Sequence, residues 1–88
     1  NACVAQGVVI GEGTLILAGC VINILSEIGA GCIINTGATV DHDCSIGEFC
    51  HIAPGVSLAG AVNLGGEVLV IKVLLELALL FYTICQSM

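Results

Sequence analysis

The chain has 88 residues, of which 58% are hydrophobic and only 3% aromatic, and twelve of them are glycine. Seven acidic residues and a single lysine give a net charge of −6. This balance argues against a nucleic-acid partner, because phosphates are bound by Lys and Arg side chains. A chain this short buries only about 60% of its unfolded surface, so we expect one domain at most, completed by a repeat, a partner subunit or both.

The first residues show no charged segment followed by an apolar run, which would mark a secretory signal peptide. We therefore expect a cytoplasmic protein, and a sequence that begins in the middle of a longer chain. The even number of cysteines, six, does not by itself indicate a disulfide framework in a chain without a secretory signal.

An aliphatic residue recurs every six residues along most of the chain. These residues are Val4, Ile10, Ile16, Ile22, Ile28, Ile34, Val40, Ile46, Ile52, Leu58, Leu64 and Val70. A small or β-branched residue stands two positions before each: Ala2, Val8, Thr14, Cys20, Ser26, Cys32, Ala38, Cys44, Cys50, Val56, Val62 and Val68. Residue types that tolerate a tight or left-handed backbone follow many of the aliphatic positions: Gly11, Asn23, Gly29, Asn35, Asp41, Gly47 and Gly65. The pattern predicts short strands with two inward side chains each, joined by turns.

Most of the cysteines belong to this repeat. Cys20, Cys32, Cys44 and Cys50 occupy the small register, where a thiol serves as a compact apolar group, so we predict that they are buried and reduced. No pair of cysteines has the two-residue separation of a zinc knuckle. Cys3 and Cys85 fall outside the register and receive no predicted role.

The two histidines are the candidates for chemistry. The repeat places His42 in a turn and His51 between two inward-facing residues, so both side chains are expected to point outward. Asp41 and Asp43 flank His42, and a carboxylate beside an imidazole holds its tautomer and raises its basicity, as a general base near neutral pH requires. The alternative is a solvated or partnered structural histidine, with Asp41 serving only as a turn residue.

A longer motif carries a family resemblance. The run INTGATVDHDCSIG from Ile34 to Gly47, followed by HIAPG at residues 51–55 and LAG at 58–60, resembles the sialic-acid O-acetyltransferase and UDP-4-amino-sugar N-acetyltransferase family. The resemblance covers residues 1 to about 65. It implies an all-β fold, a left-handed parallel β-helix of hexapeptide repeats with three repeats per coil. We accordingly expect a β-helix coil domain over residues 1–66 and a divergent, hydrophobic tail over residues 67–88.

The resemblance also implies an activity, acetyl transfer from acetyl-CoA to an amino or hydroxyl group of a nucleotide sugar or sialic acid. His42 would be the base that takes the proton of the acceptor, and Asp43 would raise its basicity. His51 would contact acetyl-CoA, and Gly60 would offer its backbone N–H to the thioester oxygen. Transfer would be direct, without an acyl-enzyme.

The spacing of the histidines predicts a shared site. Nine residues are half of an eighteen-residue coil, so His42 at a corner and His51 on the opposite wall cannot meet within one chain. Two subunits must build the site if both histidines belong to it. Members of the resembled family are similar in forming trimers, and we expect a homotrimer.

Two other functions are alternatives to acetyl transfer. The nucleotide-sugar-binding domain of the family and its later coils have no counterpart in this sequence, so the chain could be a non-catalytic, trimerising remnant that no longer binds coenzyme A. Titration with acetyl-CoA distinguishes this alternative. A γ-class carbonic anhydrase, another left-handed coil, needs three zinc-binding histidines, and this chain has two; we expect no metal.

The tail departs from the repeat after Gly66. Lys72 and Glu76 have the spacing of a helical pair, so we predict a helix that covers the open end of the coil or packs on neighbouring subunits. We do not expect a membrane span, because these charges interrupt an apolar run shorter than the roughly 20 residues required. A frameshift product is a third interpretation of the tail, which the encoding DNA would decide.

Overall fold

The structure, a computed structural model, describes the backbone of residues 1–74 and 79–85 and the side chains of residues 1–71. Each six-residue repeat contributes one two-residue strand and one turn. The short strands are β1 (Cys3–Val4), β2 (Val9–Ile10), β3 (Leu15–Ile16), β4 (Val21–Ile22), β5 (Glu27–Ile28), β6 (Ile33–Ile34), β7 (Thr39–Val40), β8 (Ser45–Ile46), β9 (His51–Ile52), β10 (Ser57–Leu58) and β11 (Asn63–Leu64). Two longer strands follow, β12 (Val68–Leu74) and β13 (Leu79–Cys85).

The strands form three flat faces that wrap around one core. Face A contains β1, β4, β7 and β10, face B contains β2, β5, β8 and β11, and face C contains β3, β6, β9 and β12. Within each face every strand pairs in parallel with the strand one coil away, so that Cys3 lies opposite Val21. The all-β hexapeptide solenoid predicted from the sequence, of the left-handed parallel type, is confirmed and has about four coils.

The core consists of the two inward registers that the sequence predicts. Ile22, Ile34 and Ile52 of the aliphatic register are fully buried, and so are the small residues Cys32 and Ala38. Parallel stacking places identical registers above one another, so one aliphatic column and one small column fill each side of the prism. Burial of this apolar surface is the main source of stability, at about 25 cal/mol per Å² removed from water.

The first coil departs from the predicted burial. Val4 is 47% exposed and Ile10 is 37% exposed, although both belong to the aliphatic register. Their strands have a neighbour on one side only, since β1 and β2 stand at the ends of faces A and B. The side chains therefore lie at the open end of the prism, and their exposure reflects this position rather than a change of register.

The left-handed residue of each turn is not where the sequence predicts it. Positive φ angles occur three residues after each aliphatic position, from Gly7 to Glu67, and not directly after it. Gly29, in the position directly after the aliphatic residue, is required for a different reason: a Cβ there would lie 2.8 Å from the backbone of the next coil. Leu25 and Phe49 adopt the left-handed conformation with a large side chain, which costs each about 1–2 kcal/mol.

The small register carries hydrogen bonds that its residue types alone do not indicate. Each polar member donates to the carbonyl oxygen of the residue fifteen positions later, as Ser26 Oγ does to Asp41 at 2.7 Å and Cys32 Sγ does to Gly47 at 3.0 Å. We call this set the donor ladder; its donors are Thr14, Cys20, Ser26, Cys32, Cys44 and Cys50. Burial raises the pKa of the Cys50 thiol, so this group keeps its proton.

The four cysteines of the small register are buried and free, as predicted, and Cys3 is free and exposed. The side chain of Cys85 lies outside the described residues. The thiols therefore have two functions in the core, filling a small inward space and satisfying a turn carbonyl of the next coil.

The parallel pairing continues into the tail. Leu69 and Val70 pair with His51 and Ile52, and β13 then pairs with β12 in antiparallel orientation. The described backbone of the tail is extended, over Val68–Leu74 and Leu79–Cys85, because β-branched residues at positions 68 and 70 continue the inward pattern. The helix predicted from Lys72 and Glu76 stays a prediction, since residues 75–78 and 86–88 lie outside the described residues.

The described part of the chain contains no helix with the length and apolarity needed to cross a membrane.

Candidate functional site

His42 and Asp43 form a hydrogen-bonded pair in the turn between β7 and β8. His42 Nδ1 and Asp43 Oδ2 are 3.0 Å apart, and both side chains are more than half exposed. The carboxylate accepts the Nδ1–H, so the neutral imidazole has its lone pair on Nε2. The pair therefore leaves Nε2 as a basic nitrogen that Asp43 does not engage.

The surrounding carboxylates raise the pKa of His42 above its ordinary value of 6.5. The main cause is the hydrogen bond that His42 donates to the Asp43 carboxylate; desolvation opposes it, and the negative charges of Asp41 and Asp43 add to it. Asp41 also fixes the turn, because its Oδ1 accepts the backbone N–H of His42 at 2.8 Å. Asp41 is thus both a turn residue and an electrostatic neighbour of the imidazole.

Gly60 lies one coil away from His42 and against its ring. A Cβ added to Gly60 would be 2.6 Å from His42 Nε2, which real Cβ atoms do not tolerate. The φ of Gly60 is not in the left-handed region, so the absence of a side chain serves the close approach and not the backbone conformation. The repeat brings these two predicted site residues together.

The backbone N–H of Gly60 is free in this turn. In the turns that begin with Asn23, Asn35 and Asp41, the side-chain oxygen accepts the next N–H. Ala59 replaces such a residue before Gly60, and no other acceptor for the Gly60 N–H is found among the described residues. A backbone N–H without an acceptor, in a residue that lies against His42, can bind an oxygen on which negative charge develops.

His51 lies on the outer side of face C and is half-buried. Its Nε2 is 3.1 Å from Asn35 Nδ2. The Asn35 amide is oriented by Thr36, whose backbone N–H donates to Asn35 Oδ1 at 2.7 Å, so Nδ2 must be the donor. His51 Nε2 therefore accepts, and the proton of the neutral ring is on Nδ1.

The two histidines occupy different sides of the prism. His42 is at the corner between faces A and B, and His51 is on face C, which lies opposite that corner. This arrangement agrees with the spacing argument: His42, Asp43 and Gly60 form one cluster, and His51 stands apart from it. Cys44, next to Asp43, points into the core and donates to Ala59 at 3.2 Å.

Sequence reasoning missed three residues that hold these groups. Ser26 hydrogen-bonds both ends of the His42 turn, Asn23 contacts the Asp41 carboxylate, and Asn35 contacts His51. Their positions fifteen to eighteen residues before the groups they contact were the available signal. No group of three or more His, Cys, Asp or Glu side chains able to hold a metal ion occurs in the part of the chain that the structure describes.

Comparison with known proteins connects this geometry to acetyl transfer. The family model described as "Bacterial transferase hexapeptide (six repeats)" matches residues 26–60. The solved acetyltransferase domain of PglB from Neisseria gonorrhoeae is 44% identical over 67% of this chain and 29% of that chain, with a TM-score of 0.66. Its complex with acetyl coenzyme A matches with 27% identity over 78% of this chain and 50% of that chain, with a TM-score of 0.53.

A second solved enzyme covers more of the chain. A histidine-to-asparagine variant of perosamine N-acetyltransferase from Caulobacter crescentus, in complex with CoA and GDP-perosamine, is 31% identical over 92% of this chain and 53% of that chain, with a TM-score of 0.57. The chain thus spans roughly a third to a half of the structures it matches. Its repeat, coil and sequence likeness identify it as a coil of the hexapeptide-repeat family to which bacterial sugar acetyltransferases belong.

Proposed function

We propose that this chain is the coil part of an acetyltransferase that moves the acetyl group of acetyl-CoA to an amino or hydroxyl group of a nucleotide sugar. One observation carries the proposal: His42, held by Asp43 and with a raised pKa, places Nε2 against Gly60, whose backbone N–H has no acceptor among the described residues. A base for the acceptor and a donor for a developing oxyanion then lie at one point, as acyl transfer requires. The similarity to sugar acetyltransferases with CoA or acetyl-CoA bound supports the choice of donor.

His42 acts as the general base in this proposal. Asp43 holds the proton of the imidazole on Nδ1, which leaves Nε2 to take the proton of the attacking amine or hydroxyl. The imidazolium that forms is stabilised by Asp43 directly and by Asp41 through its charge. Because the pair is exposed, it can receive an acceptor without a rearrangement of the core.

Gly60 binds the carbonyl oxygen of the donor. Acetyl-CoA supplies the acetyl group as a thioester, and the thiolate of coenzyme A is the leaving group. The absence of a side chain at Gly60 lets the His42 ring lie against this residue, and the Gly60 N–H, for which no acceptor is found among the described residues, can hydrogen-bond the oxygen of an acetyl group bound there as it gains charge. Cys44 takes no part as a nucleophile, since its thiol is buried and hydrogen-bonded.

A second subunit completes the site. His51 faces away from His42 within one chain, so a contact between His51 and the acetyl-CoA held at His42 requires a neighbouring prism. Several large apolar side chains are exposed on the coil, including Leu15 at 56% and Val21 at 41%, and subunit packing would cover such side chains. We therefore propose a homotrimer in which each site takes His42 from one subunit and His51 from the next.

The test is acetyl transfer by the purified chain with acetyl-CoA and a panel of nucleotide-linked amino sugars and sialic acid. His42→Ala is expected to lower turnover by about 10²- to 10⁴-fold while leaving the folded coil and the binding of acetyl-CoA unchanged, because this exposed side chain buries little surface. Absence of acetyl-CoA binding at millimolar concentration in calorimetry would refute the proposal and favour the non-catalytic, trimerising coil.

A further inference from the structure

The turn that carries His42 is closed by a single buried hydroxyl. Ser26 Oγ donates to the carbonyl of Asp41 at 2.7 Å and accepts the backbone N–H of Cys44 at 3.1 Å. Ser26 belongs to the previous coil and has no exposed surface. Its hydroxyl therefore joins the two ends of the turn, and His42 and Asp43 are the residues between them.

A second residue of the previous coil holds the same turn from outside. Asn23 Nδ2 donates to Asp41 Oδ1 at 3.2 Å, the same oxygen that accepts the N–H of His42. The Asn23 amide is oriented, since its Oδ1 accepts the N–H of Ile24 at 3.0 Å. The carboxylate that caps His42 is thus held by a side chain whose direction is itself set by the backbone.

We propose that Ser26 and Asn23 are positioning residues, which hold the His42–Asp43 pair in the geometry that a general base needs. This inference rests on the proposed function, and it adds to it two residues that touch neither imidazole nor substrate. Because Asp43 has a φ of 58°, which residues with a side chain rarely adopt, its backbone must be held by its surroundings.

The remaining bonds of the turn leave two groups to Ser26, the carbonyl of Asp41 and the N–H of Cys44: Asp41 donates its N–H to Leu58 at 3.2 Å, and Cys44 accepts the N–H of Glu27 at 2.8 Å. Asp43 donates its N–H to Ile24 at 3.0 Å, and His42 accepts the N–H of Ala61 at 2.9 Å. Neither bond restrains the carbonyl of Asp41 or the N–H of Cys44. Loss of the Ser26 hydroxyl releases both of these groups, so the left-handed Asp43 can relax and withdraw its carboxylate from Nδ1.

The chain contains a matched control at another corner. Thr14 Oγ1 donates to Gly29 at 2.7 Å and accepts the N–H of Cys32 at 3.0 Å, which is the same bridge around a turn without chemistry. Ser26→Ala and Thr14→Val each remove one bridging hydroxyl and little else. A purely structural function for Ser26 predicts equal consequences for the two substitutions.

The experiment follows His42 directly by NMR titration of the imidazole protons in the full chain. The chain has two histidines, so His42→Gln assigns both signals. The groups facing His42 are Asp41 and Asp43, since the turns at residues 23–26 and 59–62 carry no titratable side chain. In Ser26→Ala we expect the pKa of His42 to fall towards its ordinary value of 6.5, and in Thr14→Val we expect it to stay raised.

Turnover is expected to fall by about 10- to 100-fold in Ser26→Ala, with the KM for acetyl-CoA unchanged, because a misplaced base affects the chemical step. Ser26→Cys is expected to restore most of the pKa shift and of the turnover, because Cys32 makes the same bridge with a thiol. Asn23→Ala, at the surface, tests the same inference in a variant whose core is untouched.

An unchanged pKa of His42 in both Ser26→Ala and Asn23→Ala would overturn the inference. Failure of the proposed function would look different: the wild-type chain would transfer no acetyl group, while the titration would still report whether Ser26 and Asn23 hold the pair.

Discussion

The imidazole of His42 fills the space that a side chain at Gly60 would need, since a Cβ there would lie 2.6 Å from Nε2. Gly60→Ala is therefore expected to displace the ring and lower turnover by about 10- to 100-fold, with the coil still folded. The matched control is Gly65→Ala, where an added Cβ meets nothing within 4 Å and φ is ordinary. Steady-state kinetics and circular dichroism on both variants measure the difference; equal activities would show that the ring position is unimportant.

Activity is expected to rise with pH as His42 loses its proton, with the midpoint of the acidic limb above 6.5 because the carboxylates raise the pKa. Asp43→Asn removes the main cause, so the limb should move to lower pH and the plateau should fall with the weaker base. Asp41→Asn should move it less, because that residue acts through its charge. Glu12→Gln, in a turn at another corner, is the control. An acidic limb with the same midpoint in Asp43→Asn, Asp41→Asn and the wild type would exclude His42 as the base.

Mixed trimers test whether two subunits share one site. His42→Ala and His51→Ala chains are each expected to be inactive alone. When they are co-expressed or refolded together, about a quarter of the sites in randomly assembled trimers regain both histidines, and activity should return in proportion. Light scattering establishes the trimer independently. Trimers that stay inactive after mixing would contradict a site that takes one histidine from each of two subunits.

The donor ladder can be tested at Cys32, which is fully buried. Cys32→Ala leaves the Gly47 carbonyl without its donor and is expected to lower the free energy of unfolding by about 1–3 kcal/mol. Cys32→Ser keeps a donor, as Ser26 does elsewhere in the ladder, and should cost less. Urea unfolding of the two variants gives the comparison; an alanine variant as stable as the serine variant would mean that the thiol acts only as an apolar filler.

The six-residue period was sufficient to predict the interior and part of the site. It predicts which side chains stack, so the burial of Ile28 and Ile46 and the position of Gly60 one coil from His42 follow from counting along the chain. Residues eighteen apart share a corner wherever the repeat is uninterrupted. The roles of these groups in chemistry needed the family resemblance in addition.

The turns could not be predicted at the same level. A glycine is needed after the aliphatic position where two coils approach closely, as at Gly47, and elsewhere the left-handed residue carries a side chain, as at Phe49. Residue type alone does not distinguish a position that needs glycine for the close approach of two coils from a position that has a left-handed backbone. The same limit hides Ser26, because Ala, Ser and Cys fit one small space equally well and only the direction of a carbonyl in the next coil distinguishes them.

Insertions and deletions should affect the coil and the site differently. Because every repeat forms one side of the prism, gaining or losing six residues leaves each inward register intact, and the donor ladder still finds a turn carbonyl fifteen residues on. The same change between His42 and Gly60 would carry the glycine to another wall. The architecture can therefore change in steps of six residues, whereas a lineage that retains this site must keep the spacing of one coil between His42 and Gly60 unchanged.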